Sequence, residues 1–214
     1  MLDTLQHRGR RKQLIDHLSS KYQFRREILE AMGRVPRHMF LEYGLDNLAY
    51  QDKPLPIGAG QTISQPFTVA MQTELLQLSK WDKVLEIGTG CAYQTAVLSE
   101  LGYRVFSIER QRSLYQLAQK NLIRLDYHTP NLFFGDGFAG LPKFAPFKGI
   151  LVTCGAPEIP TTLLEQLEIG GKMVIPVGNG TQVMNVIERK SETEYSLSEH
   201  GEFKFVPMLE GTEQ

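Results

Sequence analysis

Three carboxylates sit where a chain could turn them on one small ligand. Glu86 precedes a glycine turn in Glu86-Ile87-Gly88-Thr89-Gly90, Glu109 closes the apolar run 103–109, and Asp136 lies within Gly135-Asp136-Gly137. Glycines lack a Cβ, so Gly88 and Gly90 let backbone approach a ligand closely. Glu109 falls 21 residues beyond Gly88, the spacing at which an acid accepts hydrogen bonds from ribose hydroxyls. Asp136, with Gly137 beside it, is placed to accept from an adenine amino group. A glycine pair after a strand also makes a plain tight turn, and a strand-end acid is often only solvated. Three such features at the ends of successive strands point instead to a nucleoside cofactor.

Charge decides which nucleoside. A third glycine of a dinucleotide fingerprint would fall at Tyr93, where a phenol ring leaves less room for a pyrophosphate. An acid at Glu86 repels phosphate and suits an ammonium or sulfonium centre. S-adenosyl-L-methionine carries both cations and no phosphate, so the loop Glu86, Gly88, Thr89, Gly90 is read as its binding loop, with Glu109, Asp136 and Gly137 completing it.

The elements that must hold these residues follow from apolar periodicity. Residues 14–22 and 26–35 repeat apolar residues at helical spacing, and Val35-Pro36 interrupts them. Residues 50–66 carry Pro54, Pro56, Pro66, Gly58 and Gly60 and read as a long loop, a length that is usually functional. Residues 67–78 are helical again. From residue 83 the pattern alternates: strands at 83–88, 103–109, 131–137, 147–156 and 172–178, with helices at 91–101, 112–125 and 163–171. Two further strands, 182–190 and 203–209, have no helix between them. The prediction is an α/β fold with a doubly wound, mainly parallel, Rossmann-like sheet, an antiparallel C-terminal edge and an N-terminal helical extension. Residues 1–214 are read as a single domain: a helical part, 1–80, carrying loop 50–66, and a core, 81–214.

Composition narrows the rest. The 214 residues are 42% hydrophobic and 22% charged, with 23 basic and 24 acidic side chains and a net charge of −1. That balance disfavours a nucleic-acid partner. Basic residues 1–12 lead into no apolar segment, and no apolar run approaches membrane-spanning length, so neither a leader nor a membrane partner is expected. Cys91 and Cys154 have no pairing pattern and are read as small buried hydrophobes. A cytoplasmic, monomeric protein is expected. The five histidines, at 7, 17, 38, 128 and 200, show no ligand spacing, so no metal is expected.

The chain resembles the protein-L-isoaspartate O-methyltransferases, a class I methyltransferase family. The resemblance is carried by Val35-Pro36-Arg37, residues 49–52, PLPIGAGQTISQP (54–66), VLEIGTGCAYQTAVL (84–98), 107–110, 135–137, 145–147, 156–157, QLEIGGKMVIPVG (166–178) and 205–208. Segment 54–66 is the most specific. By resemblance, Gln61, Thr62 and Ile63 lie over the cofactor, Ser64 stands at the active-site serine, and Arg37 is a candidate for a peptide contact. The implied reaction moves a methyl group to the α-carboxylate of L-isoaspartyl residues in damaged proteins and peptides, initiating their repair. Cys91-Ala92 stands where the family usually has Ser-Gly, Lys148 replaces an acid, and Thr153-Cys154-Gly155 replaces an Ala-rich run. Two other functions remain compatible with the glycine loop: a class I methyltransferase acting on a small-molecule or RNA acceptor, and a non-catalytic nucleoside-binding module.

Overall fold

Short apolar runs become the central strands because both their faces are covered. In β3 (Lys83–Ile87), every residue after Lys83 is buried, Glu86 included. The computed structural model describes residues 2–214 and pairs β3 in parallel with β4 (Arg104–Glu109) on one side and β6 (Phe147–Val152) on the other. Beyond them lie β5 (Asn131–Phe134) next to β4, and β7 (Leu167–Val177), β8 (Gln182–Arg189) and β9 (Tyr195–Phe203) in succession. The first five of these strands are parallel, while β7–β8 and β8–β9 are antiparallel. Helices α4 (Tyr93–Glu100) and α5 (Arg112–Arg124) follow β3 and β4. The chain runs outward from β3 to β5, then restarts at β6. This reversal opens a crevice at the carboxyl ends of β3, β4 and β6, where such sheets bind ligands. The expected doubly wound sheet, antiparallel edge and helical extension are all present.

Three boundaries differ from expectation. The expected loop 50–66 contains a small hairpin, β1 (Leu55–Gly58) against β2 (Gln61–Ile63). The expected helix 163–171 is only α6 (Thr161–Glu165), because Leu167 already pairs with Phe147 and the strand continues from there. The last strand is 195–203 rather than 203–209. Its burial pattern is almost wholly exposed, so it lacks the apolar alternation that marks a strand. Residues 205–208 instead cross the carboxyl end of β6, where Gly155 N–H donates to the Val206 carbonyl and Met208 N–H to the Gly155 carbonyl.

The first 50 residues form α1 (Leu5–Lys21), α2 (Arg26–Arg34) and a turn at Arg37–Phe40. Thr4 caps α1 in a reciprocal box with His7. The His7 and His38 rings stack at 3.9 Å. Arg11 donates to both Asp3 oxygens and to the Tyr50 hydroxyl, which also meets His38 Nδ1 at 2.7 Å. Ligand-type atoms of Asp3, His7 and His38 thus lie within 4.8 Å of one another, a proximity that sequence spacing did not show. Arg11 supplies the positive charge that pairs with Asp3, and the cluster works as a clasp fastening α1 to the segment entering 50–66. α3 (Pro66–Leu76) leaves that segment, its Phe67 N–H held by Asp52 Oδ1 at 2.8 Å. No helix among the described residues is long and apolar enough to cross a membrane.

Candidate active site

The crevice is a cavity of about 850 Å³, its open mouth included. Its floor is the loop after β3. Gly88 takes φ +93°, and a Cβ there would come 2.6 Å from Thr153 Oγ1, so the position requires glycine. Thr153 donates to the Ile87 or Gly88 carbonyl from the end of β6, at 2.9 and 2.7 Å. Gly137 is equally confined, since a Cβ would meet Ile87 Cγ2 at 2.6 Å.

Glu109 forms one wall. It is 5% exposed, with Oε2 accepting from Gly90 N–H at 2.8 Å and Oε1 from Gln111 N–H at 2.9 Å. Each oxygen keeps a lone pair free for a ligand hydroxyl. The β1–β2 hairpin forms the roof. Ile57, Gln61, Thr62, Ile63 and Ser64 all line the cavity, and the Gln111 amide donates to the Ala59 carbonyl at the hairpin tip at 3.3 Å. The only basic lining residue among the described residues, Arg110, is turned to Glu213 at 3.0 Å. The lining therefore favours a ligand with positive charge over one with a pyrophosphate.

Two expected ligands stand outside the lining. Glu86 lies beneath the glycine loop, fully buried, with Oε2 accepting from Thr95 and Ser107 hydroxyls at 2.5 and 2.6 Å and Oε1 without a partner. Burial raises its pKa to about 7, further helped by Glu109 and opposed by the two hydroxyl donors. Its one link to the cavity is the Ser107 hydroxyl, which meets the Thr89 hydroxyl at 2.6 Å. Asp136 is half-buried, and its oxygens accept from Phe138 N–H at 2.9 Å and Gly211 N–H at 2.8 Å. It orders the turn carrying Gly137, which does line the cavity.

Arg37 is another departure. It is wholly buried, donates through Nε to the Ala49 carbonyl, and lies over the Tyr93 ring at 4.8 Å. No peptide can reach it from solvent. Its guanidinium is depressed below the usual arginine range by burial, partly offset by Tyr93. Sequence reasoning did not single out Thr153, Gln111 or segment 206–209 as site residues. The usable signal for Thr153 and Gln111 was their position immediately after β6 and β4. Cys91 and Cys154 line the cavity as thiols pushed up by burial to about 11 and about 12, so neither is a nucleophile at neutral pH.

Ser64 sits at a junction. Together with Thr62, Thr153 and Val206, it lines both the cavity and a wider groove of about 1230 Å³, open side included. The Ser64 hydroxyl makes no hydrogen bond to protein among the described residues. Because Asp52 holds Phe67 N–H and α3 has no side-chain cap from its N-cap residue, Ser64 is not needed to start that helix.

A Rossmann-like α/β sheet with a glycine turn, a strand-end acid and a roofed cavity at its switch point defines a nucleoside-binding fold. Comparison with known proteins narrows the class. The family profile described as Protein-L-isoaspartate(D-aspartate) O-methyltransferase (PCMT) matches residues 9–213, and the chain belongs to that family. It is 55% identical over 210 residues to a protein-L-isoaspartate O-methyltransferase of Flavobacterium psychrophilum, covering 98% of this chain and 99% of that one. A relative from Christiangramia forsetii of the same name is 51% identical over the same share of each chain. A solved protein-L-isoaspartate O-methyltransferase superposes with a TM-score of 0.85 at 32% identity, over 92% of this chain and 65% of that longer chain. A putative member from Plasmodium falciparum, solved in complex with S-adenosyl-L-homocysteine, shares the fold at a TM-score of 0.82 and 22% identity, over 93% of this chain and 98% of that one.

Proposed function

We propose that the chain methylates the α-carboxylate of L-isoaspartyl residues in damaged proteins and peptides with S-adenosyl-L-methionine, and that residues 1–214 act in this as one unit, monomeric and cytoplasmic, with no nucleic-acid partner. The observation that carries this reading is the junction at Ser64, where the cavity lined by Glu109 and the glycine loop meets a groove open to solvent.

The cavity fits the cofactor. Glu109 has lone pairs free for a ribose diol, Gly88 and Gly90 allow close backbone approach, and Gln61, Thr62 and Ile63 close over the top. Gly137 and the turn ordered by Asp136 form the wall toward the base. Glu86 acts from beneath the loop, holding Thr89 in place through the Ser107 hydroxyl. When bound, the cofactor supplies a methyl group on a sulfonium, already activated for transfer. The acceptor carboxylate is ionised near pH 7, so no general base is required, and none lines the junction. What the protein adds is position. Ser64 donates a hydrogen bond to one carboxylate oxygen and aims the other at the methyl carbon, and such alignment supplies the main catalytic advantage. The roof over the cavity excludes water that would compete.

The test offers labelled S-adenosyl-L-methionine and matched aspartyl and isoaspartyl peptides. Base-labile label on the isoaspartyl peptide alone is expected. Label on both peptides, or only on an RNA or small-molecule acceptor, would overturn the reading.

A further inference from the structure

The groove beside Ser64 carries more than room for a backbone. Its wall is aromatic: Tyr22, Phe67, Phe203 and Phe205 all line it, and all four are half-buried, so part of each ring still faces the groove. They converge from distant parts of the chain. Tyr22 follows α1, Phe67 sits in the first turn of α3, and Phe203 ends β9. Phe67 and Phe203 lie parallel, 8° apart in plane at 6.3 Å between centroids, and Tyr22 packs on Phe67 at 4.4 Å. Phe67 is only three residues past Ser64, and Asp52 fixes its backbone at 2.8 Å.

The rim gives no opposing electrostatic preference. Glu202 and Lys204 flank Phe203, both exposed and of opposite sign, so their charges offset. An aromatic wall continuous with the reaction junction recognises ring faces and apolar bulk. A backbone in extended form advances about 3.3 Å per residue, so a side chain one or two residues from the reacting carboxylate lies within the groove's reach.

We propose that this wall selects among damaged sequences: it seats an aromatic or bulky apolar side chain lying within two residues of the isoaspartyl residue, with Phe203 and Phe67 as specificity-determining contacts. This rests on the isoaspartyl reading above. The occupant is the peptide substrate itself, because the groove opens into the junction through Thr62, Ser64 and Thr153.

A set of isoaspartyl hexapeptides, identical except for Phe or Ser scanned through the two positions on either side, reads the proposal directly. At one or more positions, Phe is expected to raise kcat/KM about tenfold over Ser, the scale of partly burying one aromatic ring. In Phe203→Ser that ratio should fall below about threefold, and Phe203→Leu should restore part of it. If Phe203→Ser does not fold, Tyr22→Ser reads the same wall from its other side. Equal rates for Phe and Ser peptides at every position would overturn the inference while leaving isoaspartyl methylation intact. So would an unchanged ratio in a folded Phe203→Ser. Failure to methylate any peptide of the set would instead overturn the isoaspartyl reading, and this inference with it.

Discussion

Glu109 and Glu86 are both acids on neighbouring strands, yet their surroundings give them opposite tasks. Glu109 lines the cavity and is tied by Gly90 and Gln111 N–H groups. Glu109→Ala should weaken S-adenosyl-L-methionine binding about 10–150-fold, the loss of roughly 1.5–3 kcal/mol of charge-assisted hydrogen bonding, measured by calorimetry. Glu86 is buried with its pKa raised to about 7. A carboxyl raised in the folded state contributes stability that is intact below its unfolded value near 4.5 and lost as pH climbs through 7. Glu86→Gln should therefore change melting temperature more favourably at pH 8 than at pH 5, relative to the native chain. A pH-independent difference between the two would contradict the assignment. Spacing from Gly88 made Glu109 legible in the sequence. It could not reveal that Glu86 faces away from the cavity, because β3 is buried on both faces and carries no alternation to mark its sides.

At the scale of elements, the roof depends on how 50–66 enters α3. Asp52, not Ser64, takes the exposed N–H of the first helical turn. Asp52→Ala should cost about 0.5–2 kcal/mol of stability, as lost helix caps do, read as a lower midpoint in urea, whereas Ser64→Ala should leave the midpoint unchanged. The central strands and helices α4 and α5 were legible because burial on both sides demands apolar runs that stand out from the helical period. The β1–β2 hairpin was not, since nine residues with Pro56, Gly58 and Gly60 among them look like punctuation. Strand β9 was missed for the opposite reason: it is held by main-chain pairing with β8 while its side chains face water.

Across the whole molecule, the N-terminal clasp ties the helical part to the sheet's roof. His38 is depressed by burial, then by the neighbouring His7, below the usual histidine value of 6.5. A histidine depressed in the folded state keeps its stabilising contribution above its unfolded pKa and loses it as pH falls through the folded one. Melting temperature should fall as pH drops from 7.5 to 5, with less of a fall in His38→Gln, and amide exchange in α1 should accelerate over the same window. Unchanged acid sensitivity in His38→Gln would detach the clasp from this effect. The clasp was invisible in sequence because its members, at 3, 7, 11, 38 and 50, meet only when α1 lies beside the turn after α2.

The division of labour between cavity and junction is the centre of the account, and Ser64→Ala tests it on one purified variant. The hydroxyl makes no hydrogen bond to protein among the described residues, so its removal should leave melting temperature and cofactor affinity near native. Turnover on an isoaspartyl peptide should fall about 10–1000-fold, the range for losing a donor that acts in the transition state. Native turnover, or a loss of turnover matched by an equal loss of cofactor binding, would contradict Ser64 as the residue that orients the acceptor.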